Sequence, residues 1–143
     1  LLDEAKSFLS EEGIFQKAII LAKDRMSKLT DFEDMVSFLW KDNLEYDPKI
    51  LMSKDLDAEQ TKEMLQTSLN VINDIKEKDW EEEKLRKTFM DYTEKENIKR
   101  GDMLWPLRVA VTGLAQSPDV FGVMDILGKE KSASRTREAI EKL

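Results

Sequence analysis

The sequence predicts an all-α protein, arranged as a helical bundle in two parts. Over most of the chain, apolar residues recur three and four positions apart, which is the spacing of one face of an α-helix. The sequence has no sustained alternation of apolar and polar residues, the pattern of a half-buried strand. Serine, threonine and aspartate precede several of the periodic stretches, where such residues cap helices.

The first predicted part is residues 1–46, with three helices. One ends before Gly13, and a second keeps helical apolar spacing through Leu29. Thr30 and Glu33 have the spacing of a capping box and predict the start of the third. The residues expected on the buried side of this third helix are Phe32, Met35, Val36, Leu39 and Trp40.

The second predicted part is residues 47–143, and the polar stretch 41–47 marks the boundary. Asp47 precedes Pro48 as an N-cap precedes a first-turn proline. A long amphipathic helix is predicted over residues 57–76. Its apolar stripe is Met64, Leu65, Leu69, Ile72 and Ile75.

Two further amphipathic helices are predicted in the second part. Asp79 and Glu82 have the spacing of a cap, and Gly101 is expected to end the helix that follows them. Ser132 or Ser134 is expected to begin the last helix of the chain. The apolar residues of the earlier helix are Leu85, Phe89 and Tyr92.

Prolines and glycines predict a pair of short helices between these two. Pro106 suits the first turn of one helix, and Gly113 suits its left-handed end. The S-P-D sequence at residues 117–119 has the pattern of an N-cap, a first-turn proline and a first-turn acid. The helix that it opens is expected to stop at Gly128.

Missing residue types limit the chemistry of this chain. It has neither histidine nor cysteine, so it lacks the commonest general base, the commonest zinc ligands and any thiolate. We therefore expect no catalytic site, metal or cofactor within it. The absence of cysteine suits a cytoplasmic protein, and no apolar run approaches the ~18 residues that span a membrane.

The charge distribution allows two kinds of partner. The net charge of −7 argues against a nucleic acid, but residues 99–143 carry eight basic and six acidic side chains. A contact with a few phosphates needs only a local basic surface. The alternative is a helical adaptor that binds protein and not RNA, which the acidic balance of residues 1–98 supports.

A resemblance to a known family distinguishes between these partners. The octet P-L-R-V-A-V-T-G occupies residues 106–113, followed by S-P at 117–118 and L-G-K-E at 127–130. Together they resemble the C-terminal anticodon-binding region of bacterial-type glutamyl-tRNA synthetases. L-A-K-D-R-M-S-K-L at residues 21–29 is similar to a second family segment. The chain between these segments matches only as generic helices.

The resemblance implies a fold of the α-helix cage type that binds the anticodon stem-loop of tRNA(Glu). It also implies a catalytic domain earlier in the same protein, which uses ATP and Mg to attach glutamate to tRNA. The chain begins at Leu1, within a predicted helix, and we expect it to be a fragment. Met26-Ser27-Lys28 and Met52-Ser53-Lys54 resemble part of a synthetase ATP-binding loop, but we interpret both as chance matches, because the partner motif needs histidine.

The resemblance also implies which residues contact the tRNA. Arg25 and Arg108 match positions that contact the anticodon, and Ser117, Pro118 and Val120 match a segment that lies against its loop. Pro118 and Val120 are expected to make apolar contact with the anticodon loop. The backbone N–H groups at the start of the following helix are expected to donate hydrogen bonds to it. The residues expected to bind phosphates without reading sequence are Lys129, Lys131, Arg135 and Arg137.

Arginine suits the discrimination that this family needs. A guanidinium only donates hydrogen bonds, so it pairs with the O2 and N3 acceptors of cytosine and meets only donors at N1 and N2 of guanine. Such a site should bind the wrong base less favourably, by about 1–3 kcal/mol of binding free energy. In the family that the chain resembles, anticodons for glutamate end in C and those for glutamine end in G, and members that charge only tRNA(Glu) have arginine at the position of Arg25. The resemblance therefore implies an enzyme that charges tRNA(Glu) and not tRNA(Gln). Trp105 is open to two readings, a base-stacking platform and a packed core residue, with core packing favoured.

Overall fold

The computed structural model describes residue 17 and residues 36–143. Within this part the chain forms α-helices and short 3-10 helices and contains no strand, so the predicted all-α class is confirmed. The helices predicted before residue 36 lie outside the described residues. The α-helices are α1 (Ala58–Asp74), α2 (Glu82–Lys95), α3 (Arg100–Thr112), α4 (Val120–Leu127) and α5 (Lys129–Lys142). The 3-10 helices are Ser37–Trp40, Pro48–Leu51 and Glu77–Asp79.

Helix α1 begins within one residue of its predicted start, with Asp57 as its N-cap residue. The Asp57 carboxylate accepts from the Gln60 backbone N–H at 2.8 Å, and the Gln60 side chain accepts from the Asp57 N–H at 3.0 Å. This reciprocal pair satisfies two N–H groups that have no partner within the helix. The buried side of α1, which includes Leu65 and Ile72, packs against α3 and α5. The predicted stripe is confirmed.

The limits of α2 differ from the prediction at both ends. Glu81 is its N-cap residue, whereas Asp79 lies in a 3-10 helix with its carboxylate 3.5 Å from Lys84 Nζ. Beyond the other end, Asn97 takes the positive φ of 53° that was expected at Gly101. Asparagine tolerates this left-handed region because its short side chain can bond locally. Gly101 instead lies in the first turn of α3.

Helix α3 starts before Pro106 and runs through it. The prediction of Pro106 in the first turn is wrong, although proline removes the N–H that would bond the carbonyl of Asp102. The earlier start allows Met103 to share a fully buried face with Leu107, and burial of this kind overrides local preference. Gly113 ends α3 as predicted, with φ at 73° and its N–H bonded to the Val109 carbonyl at 2.7 Å.

Helices α4 and α5 are separated by one residue. Asp119, not Ser117, is the N-cap residue of α4, and its carboxylate accepts from a backbone N–H two residues further on. Gly128 ends α4 as predicted, with φ at 86°. Helix α5 begins directly at Lys129, so the two serines expected to start it lie inside the helix.

Helix α3 lies at the centre of the described core and packs against α1, α2, α4 and α5. Val36, Phe38 and Leu44 belong to the same apolar cluster as side chains of all five helices, so this core crosses the predicted boundary at residue 46. Most of residues 1–46 are outside the described residues, and the division into 1–46 and 47–143 stays a prediction. Trp40 was expected to be buried but is 40% exposed.

Membrane insertion has no support in the described residues. None of the helices in that part of the chain combines the length and the apolar character that crossing a bilayer requires.

Candidate functional site

The candidate site is the C-terminal end of α3, the connection over residues 113–119 and the start of α4. Arg108 is half-buried on α3, one turn before the Gly113 cap. The Thr112 hydroxyl donates to the Arg108 carbonyl at 2.7 Å and accepts from the Leu114 N–H at 3.1 Å. These two bonds and the left-handed glycine fix the turn that follows Arg108.

The residues expected to give apolar contact lie inside the fold. Val120 is 1% exposed and belongs to the main core, and Pro118 is buried as well. Ser117 is 2% exposed, and its hydroxyl donates to the Pro118 carbonyl at 3.0 Å. Ala115 and Gln116 form the exposed part of the same connection. The expectation that Pro118 and Val120 present apolar surface to an RNA loop is therefore not met in this conformation.

One N–H group at the start of α4 is capped by the chain itself. One oxygen of Asp119 accepts from the Phe121 N–H at 3.1 Å, and the other accepts from the Arg86 guanidinium of α2. Arg86 also bonds Glu82 at 2.9 Å and lies 5.6 Å from the centre of the Phe121 ring. The hydrogen bond to Glu82, followed by the contact with Asp119, raises the pKa of Arg86, while burial opposes this.

Two further bonds join α2 to α4. The Trp80 indole N–H donates to the Met124 carbonyl at 2.8 Å, and the Glu82 N–H donates to the Asp125 carboxylate at 3.1 Å. No pattern in the sequence predicts this junction. The pairing of Arg86 with Glu82 four residues earlier follows a local rule, but the bond to Asp119 has no local signal.

Three of the four residues expected to bind phosphates bond carbonyl groups instead. Lys129 Nζ donates to the carbonyls of Asn73 and Ile75, at 3.2 and 2.6 Å, where α1 ends. Lys131 Nζ donates to the Leu39 carbonyl at 3.3 Å. Burial, and then the nearby positive charge of Arg135, lower the pKa of Lys131.

Arg135 departs furthest from the prediction. It is 2% exposed, and its guanidinium donates to the carbonyls of Val111, Phe38 and Lys41 at 2.6, 2.7 and 2.8 Å. A buried guanidinium whose Nη1 and Nη2 groups both bond carbonyls in this way does not present them to a phosphate in this conformation. Arg137 is exposed and stays a candidate phosphate ligand.

The remaining expected site residues have different outcomes. Trp105 is half-buried, and its indole N–H donates to the Ile50 carbonyl at 2.9 Å, as suits the core-packing reading. Arg25 lies outside the described residues.

The described residues hold no group of three or more acidic, histidine or cysteine side chains arranged to bind a metal ion.

Comparison with known families gives this site a context. A family model described as an anticodon binding domain matches residues 1–140. The chain belongs to this family. As an anticodon binding domain it is expected to bind RNA, and the match therefore favours RNA over the helical-adaptor alternative.

The relatives of this anticodon binding domain are glutamate–tRNA ligases. That of Treponema denticola is 33% identical over 130 residues, which is 91% of this chain and 25% of the relative. That of Clostridium acetobutylicum is 32% identical over 139 residues, covering 94% of this chain and 28% of the relative. The chain thus spans about a quarter of the length of these relatives.

A solved structure has a similar fold. The glutamate–tRNA ligase of Elizabethkingia meningosepticum superposes with a TM-score of 0.75 and 27% identity, over 98% of this chain and 28% of that one. The similarity extends over nearly the whole anticodon binding domain, including α3 and the residues after it.

Proposed function

We propose that this domain recognises the anticodon of tRNA(Glu) as part of a glutamate–tRNA ligase. In the whole protein, a catalytic domain earlier in the same chain activates glutamate with ATP and Mg and transfers it to the tRNA. The observation that carries the proposal is the match of the anticodon binding domain family to residues 1–140. The relatives support it, because two glutamate–tRNA ligases match 91% and 94% of this chain.

Arg108 is the residue of the described part that best suits a reader of the anticodon. It is half-buried on a helix whose last turn is fixed by the Thr112 hydroxyl and the Gly113 cap. A guanidinium in a fixed position offers donors to cytosine O2 and N3 and has no acceptor for the donors of guanine. Single-stranded RNA is commonly read on this Watson–Crick edge. Arg25 is proposed as a second reader.

The connection over residues 113–119 is proposed to lie beside the anticodon loop. Because Ala115 and Gln116 are its exposed residues, they are the ones that the RNA meets first. Ser117 and Pro118 lie behind them, and their role in this conformation is to shape the backbone of the connection. Arg137 is proposed to bind a phosphate, which adds affinity without selecting a sequence.

Binding of RNA to the full-length protein tests this function. We expect tRNA(Glu) to bind more tightly than the same tRNA with its third anticodon base changed from C to G, by ~5- to 150-fold. A protein adaptor predicts no binding of either RNA, even at low salt. Equal binding of both RNAs would leave a tRNA-binding protein that does not read this base, and would contradict the proposal.

A further inference from the structure

Arg135 joins the ends of two helices. Val111, which accepts from its Nη1, lies at the C-terminal end of α3. Phe38 and Lys41, which accept from its Nη2, lie within and directly after the 3-10 helix Ser37–Trp40. Carbonyl groups at the end of a helix have no partner within it. A single planar guanidinium therefore bonds carbonyls of two separate segments, of which the Phe38 carbonyl also accepts from the Lys41 N–H at 3.4 Å.

Helix ends also explain how a buried cation is tolerated here. Among the described residues, the hydrogen bonds of Arg135 go to carbonyls and none goes to a carboxylate. The C-terminal end of a helix carries a partial negative charge, and Arg135 lies against two such ends. Lys131, one turn earlier on α5, adds a bond to the Leu39 carbonyl. The side chains of α5 thus hold residues 36–41 against the end of α3.

We propose that Arg135 is a positioning residue for Arg108, an inference that rests on the proposed function. Val111 lies in the same helical turn as Arg108, so the Arg135–Val111 bond fixes the turn that carries the reader. The Thr112 and Gly113 bonds hold that turn from within its own chain segment. The bond from Arg135 ties it to a different helix.

The geometry requires an arginine. The two bonded nitrogens serve different segments, Nη1 the end of α3 and Nη2 residues 38–41, and a guanidinium presents both in one rigid plane. A lysine carries its three donors on one nitrogen at the end of a flexible stem, so it would not hold both segments at the spacing of the two guanidinium nitrogens. Arg135→Lys should therefore keep a positive charge in the fold while releasing either α3 or residues 36–41.

Glutamylation by the full-length enzyme tests the inference through four proteins: wild type, Arg135→Lys, Arg108→Ala and the double variant. We expect Arg135→Lys to raise the KM for tRNA(Glu) about tenfold, because a small misplacement of a binding group is costly, and to leave the KM for ATP unchanged. The double variant should match Arg108→Ala alone, since Arg135 acts through Arg108. Arg100→Lys makes the same exchange at an exposed position at the start of α3; it is the matched control and should keep the wild-type KM.

Two further measurements separate this role from others. The dependence of tRNA binding on salt should be the same in Arg135→Lys and wild type, because no phosphate contact is lost. Hydrogen exchange at the Thr112 and Gly113 amides should be faster in Arg135→Lys. Should that variant not fold, Arg135→Gln repeats the comparison, since it keeps an N–H₂ donor and buries no charge.

Several results would overturn the inference. Additive effects in the double variant would show that Arg135 acts independently of Arg108, and a weaker salt dependence would make Arg135 a phosphate ligand. Unchanged exchange at the end of α3 would remove the structural link. If exchange rises but Arg108→Ala charges tRNA normally, α3 is held by Arg135 and the anticodon is read elsewhere. This last result would overturn the assignment of Arg108 as reader and, with it, the role of Arg135 in recognition.

Discussion

The Asp119 carboxylate connects the start of α4 to Arg86 of α2, because each of its two oxygens bonds one of them. One oxygen caps the Phe121 N–H at 3.1 Å and the other accepts from the guanidinium. Both side chains are about one-third exposed, so solvent weakens the ion pair, whereas the cap bond is local and geometric. The cap should therefore contribute more to stability than the ion pair.

Substitutions at Asp119 separate these two contributions. Asp119→Ala removes both and should lower the free energy of unfolding by about 1–2 kcal/mol, the usual effect of losing an N-cap. Asp119→Asn keeps a capping oxygen and loses the charge, so it should cost less than ~1 kcal/mol. Urea unfolding of the full-length protein, followed at the transition of this domain, measures both. Equal losses in the two variants would mean that the ion pair, and not the cap, stabilises this junction.

Two glycines that flank Arg108 should respond in opposite ways to alanine. Gly113 has φ at 73°, and an added Cβ would lie 3.3 Å from the Tyr46 ring. Gly113→Ala should therefore destabilise the domain by at least ~1 kcal/mol. Gly101 lies in α3 with open space where its Cβ would be, so Gly101→Ala should be neutral or stabilise by up to ~1 kcal/mol. Thermal unfolding checks the pair, and a stable Gly113→Ala protein would contradict the proposed role of this cap.

Local rules predict part of this fold. The cap at Asp47 and the helix ends at Gly113 and Gly128 follow from residues close in sequence, and the structure has all three. Each depends on a property of one residue type, an oxygen acceptor or a tolerated positive φ.

Long-range contacts explain what the sequence alone does not reveal. The Arg135 guanidinium bonds a carbonyl 97 residues away, and no local pattern distinguishes such a residue from an exposed arginine. Pro106 lies inside α3 because burial of Met103 extends the helix towards its start. Positive charge suggests a phosphate ligand, but it does not indicate whether a lysine faces solvent or a helix end, as Lys129 does. The prediction of Arg108 on a helix before a left-handed glycine depended on local residues alone, and the structure has this arrangement.

The basic residues of α5 should divide into two classes. Arg137→Gln should make the tRNA affinity less sensitive to salt, by a slope of about 0.7–0.9 for one phosphate contact, for cognate and non-cognate tRNA alike. Lys129→Gln should leave that slope unchanged and lower stability, because Lys129 bonds the carbonyls at the end of α1. Binding titrations over a range of salt concentrations and thermal unfolding measure the two effects. A salt slope reduced by Lys129→Gln would return this residue to the phosphate ligands.

Arg25 is predicted to make the enzyme discriminating. Glutamine at this position can present either a donor or an acceptor, so Arg25→Gln should relax the preference for anticodons that end in C over those that end in G. Glutamylation of tRNA(Glu) and tRNA(Gln) by the wild type and the variant measures this preference. Efficient charging of tRNA(Gln) by the wild type, or an unchanged ratio in the variant, would contradict the prediction.

The kinetics of Arg108→Ala in the full-length enzyme test the central claim most directly, with the KM for tRNA(Glu) and the KM for ATP measured together. If Arg108 reads the anticodon, the KM for tRNA should rise by about 10- to 100-fold, the loss expected for hydrogen bonds from a charged group, while the KM for ATP stays unchanged. Wild-type charging kinetics in this variant would contradict the claim.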